Sequence, residues 1–169
     1  MKKTFNVILG ISFLIFLSLI IWINYLMKNN VGDIAYNSSI DESSFIVCNE
    51  ERVFQYYSVG TSYEGEQKAI REEIFAELEN RDLAFENKSG YITFRFIVNC
   101  NGQAGRYRFK EVDINFLETS FKKEDVDKLK IAVTKLTNWK VGTQKNGSPV
   151  DSYYQIKFKI IEGKIEDIF

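Results

Sequence analysis

The chain has 169 residues, with 22 Lys and Arg against 23 Asp and Glu, no His, two Cys and a single Pro. The lack of His excludes Ser-His-Asp and Cys-His nucleophilic machinery and any His-containing metal site. The balanced, dispersed charge excludes the clustered positive field that a nucleic-acid backbone requires.

Residues 5–27 contain no charged side chain. At 1.5 Å per residue this run makes about 34 Å of helix, enough for a hydrocarbon core of roughly 30 Å. Lys2 and Lys3 precede it and Lys28 alone follows closely, a bias that predicts a cytoplasmic N-terminus and export of the remainder. The run leaves through INYLMKNN without a small-x-small cleavage site, so the segment is expected to stay as a single-pass anchor. Residues 1–28 thus read as a cytoplasmic tip and anchor. Residues 29–44, polar and free of Pro, read as a short flexible stalk. Residues 45–169 read as one folded domain. Setting aside Lys2, Lys3 and Lys28 leaves 19 basic against 23 acidic residues, a net of −4.

Beyond the stalk, Phe45–Cys48 and Val53–Val59 are short apolar and aromatic runs that suggest a hairpin or two edge strands. From Glu64 to Glu79 the period becomes helical, with Ile70, Ile74, Phe75 and Leu78 on one stripe. Glu72, Glu73, Glu77 and Glu79 fall on its solvent face and are read as surface charge. Tyr91–Asn99 alternates as a strand, and Asn101-Gly102 predicts a type I′ turn. In the returning strand Tyr107 and Phe109 have one parity and Val112, Ile114 and Phe116 the other, which predicts a β-bulge near Lys110 or Glu111.

A second helix is expected from about Lys122 to Leu136, with Val126, Leu129, Val133 and Leu136 buried and Glu124 and Asp125 in its first turn. Trp139 should plug the gap between helix and sheet. Asn146-Gly147 then turns the chain into a strand from Val150 to Ile161, in which Tyr154, Ile156, Phe158 and Ile160 alternate with Tyr153, Gln155, Lys157 and Lys159. The fold class is α+β: an antiparallel sheet of about three long strands with two helices on one face, after one transmembrane helix. Cys48 and Cys100 either close a loop of about 50 residues, stabilising by roughly 2 to 4 kcal/mol, or stand as two separate buried thiols.

Three segments in order carry a family likeness. They are YEGEQKAIREEI (Tyr63–Ile74, with Gly65, Ala69 and Ile70), GYITFRFIVNCNG (Gly90–Gly102) and LTNWKVGTQKNGSPVDSYYQIKFKI (Leu136–Ile160). Together they resemble the C-terminal domain of TonB-family energy transducers. The resemblance implies a bacterial inner-membrane protein with its C-terminal domain in the periplasm, binding protein rather than catalysing a reaction. It implies no catalytic residue, no cofactor and no metal.

It further implies that a periplasmic or outer-membrane protein segment is captured beside the final strand. Here that strand matches Tyr153, Tyr154, Gln155, Ile156, Lys157, Phe158 and Lys159, with a proton-driven motor complex as a possible second partner. Without the resemblance, Lys157 and Lys159 read as charges that guard a sheet edge. The chain departs from the family in lacking a Pro-rich spacer, and Ala84-Phe85-Glu86 lacks the family's Pro. A short accessory or regulatory inner-membrane protein is therefore the alternative expectation.

Overall fold

The computed structural model describes residues 2–30, 34–79 and 83–169, and within the first helix the side chains of residues 6, 9–23 and 25. The chain divides into two compact units, Met1–Ala35 and Tyr36–Phe169. The first contains α1 (Lys2–Asn30), helical because its long apolar run holds no Pro. Its described side chains are exposed. Among the described residues no helix is long and apolar enough to cross a membrane. The unbroken described run, 9–23, is shorter than the roughly 20 residues a bilayer needs, and other parts of the expected anchor, 5–27, lie outside the described side chains. The second unit begins at Tyr36, so the latter part of the expected stalk belongs to the folded domain.

In chain order that domain carries β1 (Phe54–Gln55), α2 (Tyr56–Val59), β2 (Ser62–Tyr63), α3 (Glu66–Leu78), a 3-10 turn (Phe85–Asn87), β3 (Gly90–Val98) and β4 (Ala104–Asp113). There follow α4 (Lys123–Thr134), β5 (Trp139–Lys140), β6 (Gly142–Thr143), β7 (Pro149–Val150), β8 (Ser152–Ile161) and β9 (Lys164–Ile168). β3 lies between β4 and β8, antiparallel to both. The far side of β8 takes β1, in parallel, at Ser152 and Tyr153, and β9, antiparallel, from Phe158 to Ile161. The class is α+β with a mixed five-stranded sheet. The three long strands are those expected, and β1 and β9 enlarge the sheet beyond them.

Several local expectations are corrected. Phe45–Cys48 forms no strand, and Tyr56–Val59 is a short helix ended by Gly60 in the left-handed region. The turn after β3 has positive φ at Gly102 but not at Asn101, so it is not type I′. Asn99 shapes it instead, its side-chain oxygen accepting the N–H groups of Asn101 and Gln103 at 3.0 and 2.9 Å. The bulge between β3 and β4 falls opposite Arg95–Ile97 and is taken up at Arg106, with φ of 55°, rather than near Lys110. Val112 consequently stays on the face opposite Phe109. Phe75, expected in the core stripe of α3, is exposed, while Ile70, Ile74 and Leu78 are buried.

The core lies between α3, α4 and one face of the sheet, where Ile92, Phe94, Phe96, Ile156, Phe158 and Ile160 meet Ile70, Ile74, Val126, Leu129 and Val133. Even-numbered positions of β3 and β8 therefore point to the helices, and odd-numbered ones to the opposite face. Trp139 is buried, with its ring 4.7 Å from Tyr154, 4.8 Å from Tyr63 and 5.2 Å from Phe96. Its indole N–H donates to the Leu136 carbonyl at 2.9 Å, so the ring both fills the gap and caps the end of α4.

Trp139→Ala should cost about 3 to 5 kcal/mol, the usual range for emptying a large aromatic site. Chemical denaturation measures it, and an unchanged midpoint would show that the aromatic cluster does not depend on this ring.

Candidate partner-binding edge and face

The sheet has two outer strands' worth of backbone to account for, and they differ. On β8, β1 covers Ser152 and Tyr153 while β9 covers Phe158 to Ile161. Lys157 also exchanges both backbone bonds with Phe169, at 2.6 and 2.9 Å. Of the seven residues expected to form a docking edge, Tyr154, Ile156 and Phe158 point into or towards the core. Tyr153 is buried under the Arg95 guanidinium, 4.3 Å from its ring centre. Lys157 lies over the Phe169 ring at 5.3 Å, and Lys159 pairs with Glu166 at 2.5 Å. That hydrogen bond raises the Lys159 pKa. Gln155 alone is exposed. The edge expected along the whole of β8 is thus narrowed to one residue, because the chain supplies its own neighbouring strands. β9 follows a turn with positive φ at Glu162 and Gly163, and that Glu-Gly pair was the signal in the sequence.

Among the described residues β4 is paired with a strand on one side only, by β3, and Val112 makes an isolated bridge to Glu118 on the other. Its start is flanked by residues 36–50, which run as an arm held by side chains. The Arg106 guanidinium is paired with Glu50 (Nη1 to Oε2, 2.7 Å), and Arg108 with Asp41 at 2.7 and 2.8 Å. The Phe45 ring fills the space that a Cβ on Gly105 would need. A cavity of about 190 Å³ lies between arm, β4 and α4, lined in part by Ile40, Phe45, Tyr107 and Lys130. Burial pushes the Tyr107 phenol up.

The far end of β4 is closed by its own turn. Asp113 Oδ1 accepts the N–H groups of Asn115 and Leu117 at 2.8 and 2.9 Å, and Asp113 N–H donates to the Leu117 carbonyl. Glu111 C=O accepts from Thr119. This turn is hydrogen-bonded within yet apolar outside: Ile114, Phe116 and Leu117 are 55, 68 and 65% exposed. Phe116, at φ of 62°, stacks flat on Tyr91 at 5.3 Å. Between arm and turn, the backbone of Phe109 has the same outward parity as Glu111 and Asp113, and its ring is half exposed. A short open edge flanked by exposed apolar side chains is an association surface.

The cysteines form a disulfide, Cys48 to Cys100, with Cα atoms 6.1 Å apart. Asp151 is buried beside it and accepts the backbone N–H groups of Cys48, Asn49 and Cys100 at 3.1, 2.7 and 3.0 Å. Both sulfurs and one Asp151 oxygen lie within 4.8 Å of one another. With the sulfurs joined and both carboxylate oxygens engaged, this group anchors the arm instead of offering metal ligands.

At the other end of the sheet, burial works against ionisation of Asp125, yet Lys128 and the Phe85 N–H outweigh it and hold the carboxyl below its ordinary value. That bond pins a segment with positive φ at Phe85, Glu86 and Asn87.

No family model, curated protein or solved structure matches the chain.

The hydrogen bond from Arg108 lowers the pKa of Asp41, and that from Arg106 lowers the pKa of Glu50. A carboxyl depressed in the folded state stabilises it above the ordinary carboxyl range, and the contribution is lost as pH falls through the depressed value. Hydrogen exchange should therefore show amides of residues 37–50 losing protection below about pH 4 while β3 and β8 stay protected. Loss of protection in all segments together would mean that these pairs do not set the acid limit of the arm.

Proposed function

We propose that this chain is a membrane-anchored protein-binding domain that takes an extended segment of its partner as an additional strand. The observation that carries this reading is the open edge of β4 at Phe109, between the arm and the apolar turn of Ile114, Phe116 and Leu117. Backbone N–H and C=O groups there supply affinity to any extended segment, and alternate side chains supply selectivity. Strand addition along β8, which the TonB resemblance implies, requires β9 to leave. Ile168 is buried, and its carbonyl accepts from Gln67 and Arg71 at 3.0 and 2.8 Å, so that departure opposes an ordered structure. On β4 the Phe109 backbone is open without the departure of any strand.

The anchor reading rests on the uncharged run at 5–27 and the lysines before it. Together with the TonB resemblance it implies a domain in the periplasm of a bacterium, attached to the inner membrane. Between the accessory protein and the long-reach transducer, one observation favours the first. The second unit begins at Tyr36, inside the expected stalk of 29–44, which leaves less of that stretch to act as a spacer. The proposed partner is thus a protein with an extended segment near the inner membrane, such as a component of a proton-driven motor complex.

A reporter active only outside the cytoplasm, fused after Phe169, should be active and remain with washed membranes. A reporter recovered in the soluble fraction would overturn the anchor.

For the edge, Phe109→Pro removes the outward N–H at a position where an edge strand tolerates Pro, and Phe109→Ala controls for the ring. With a photo-crosslinker at Lys110, the Pro variant should fold and lose its in-cell crosslinks, while Phe109→Ala and Gln155→Pro keep them. A folded Phe109→Pro protein that retains the same crosslinks would show that binding uses another surface. Loss in Gln155→Pro alone would return the site to β8.

A further inference from the structure

The face of the sheet turned away from the helices is basic, and the register shows why. Arg95 on β3 lies between Arg108 on β4 and Gln155 on β8, and Thr93 lies between Lys110 and Lys157. Tyr91 lies between Val112 and Lys159. Five cations therefore share one face across three strands, and those rows contain no acidic residue. The carboxylates that reach the face come from flanking chain segments: Asp41 of the arm on Arg108, and Glu166 of β9 on Lys159. The remaining pair, Lys110 and Lys157, is bound more loosely. Lys110 sits 3.7 Å from Glu118 with both side chains largely exposed, a contact of little net strength, and Lys157 has the Phe169 ring beneath it. Two strand spacings separate these lysines, about 10 Å.

From this we infer that the partner segment is acidic, with a carboxylate on the helix-free face against Lys110 and the positive field of Lys157, two strands further across the sheet, behind it; the inference rests on the proposed strand addition at β4. The carboxylates already on this face, Asp41, Glu118 and Glu166, all come from extended or turn segments of polypeptide. A second copy of the chain does not fit. A two-fold antiparallel pairing of β4 with itself sets residues of equal parity opposite one another, and a register centred on Phe109 places Arg108 against Lys110. Like charges directly opposite are destabilising. An acidic strand removes that conflict and gains attraction at the same positions. The half-exposed Phe109 ring lies on the other face, so apolar residues should alternate with the acids.

The test uses the full-length chain in neutral phosphatidylcholine nanodiscs and two labelled synthetic peptides, one alternating Glu and Val and one alternating Lys and Val. Fluorescence anisotropy should show binding of the Glu-Val peptide, weakened by salt. Lys110→Glu with Lys157→Glu should lower that binding by roughly tenfold or more and create binding of the Lys-Val peptide. Lys110→Gln with Lys157→Gln keeps side-chain length and should give an intermediate loss with an unchanged melting point, which separates charge from folding.

Undiminished Glu-Val binding in either double variant would overturn the inference. Equal binding of both peptides to the natural chain, abolished by Phe109→Pro, would overturn the acidic preference and leave strand addition standing. No binding of either peptide, or binding that survives Phe109→Pro, would remove both. Displacement of the peptide by phosphatidylglycerol vesicles, with the same dependence on Lys110 and Lys157, would assign the face to anionic lipid and overturn the protein-segment reading.

Discussion

Asp151 is the point on which the domain's edges depend. It is a buried carboxylate immediately before β8, and it gathers the backbone N–H groups of Cys48, Asn49 and Cys100. Its own carbonyl accepts the Phe54 N–H at 3.0 Å, which starts β1 beside β8. One residue, through its carboxylate and its carbonyl, thus joins the arm, the turn after β3 and the first residues of two strands. An apolar residue in its place would leave three N–H groups without this acceptor, one on half-buried Cys100 and two on exposed residues, each costing up to about 1 to 3 kcal/mol to the extent that it is buried. The disulfide lies against the same carboxylate and ties together two segments that it has already aligned.

From that point the two sides of the sheet diverge. β8 becomes an interior strand because β1 and β9 occupy its far side, whereas β4 stays a margin protected only at its ends. Protection takes different forms at those ends: two Arg–carboxylate pairs and Phe45 at the start, and a turn organised by Asp113 at the finish. Natural sheets guard edges with charge, and Arg108 and Lys110 serve that purpose against self-association. The same charges define which strand is welcome. Guarding an edge and selecting a partner are here one physical property, since repulsion of like strands and attraction of acidic ones come from the same side chains.

The exposure of apolar groups on a hydrogen-bonded turn next to this edge points in the same direction. Phe116 is held in a left-handed conformation, which a bulky side chain rarely adopts, and its stacking on Tyr91 offsets part of that cost. Ile114 and Leu117 stand exposed on the same hydrogen-bonded turn. A hydrogen-bonded turn that presents apolar side chains to solvent marks an interaction surface more clearly than scattered surface Leu or Ile would.

The sequence by itself determined the elements whose order follows from periodicity. The 3.6 repeat located α3 and α4 and the buried Val126, Leu129, Val133 and Leu136. The alternation of β3 and β8 separated their core and outer faces, and the position of Trp139 after a helix identified it as a plug. These properties are local, because side-chain direction depends only on the backbone period. Tertiary structure alone decided which strand is an edge. That depends on pairing between residues far apart in the chain: β1 with β8, β9 folding back on β8, and the arm bridged to the turn at Cys100. The bulge shows the same limit, since parity within β4 demanded an irregularity but the cross-strand register placed it at Arg106. The basic face was half legible, as Lys157 and Lys159 share a strand, while Arg95, Arg108 and Lys110 join them only through the register of three strands.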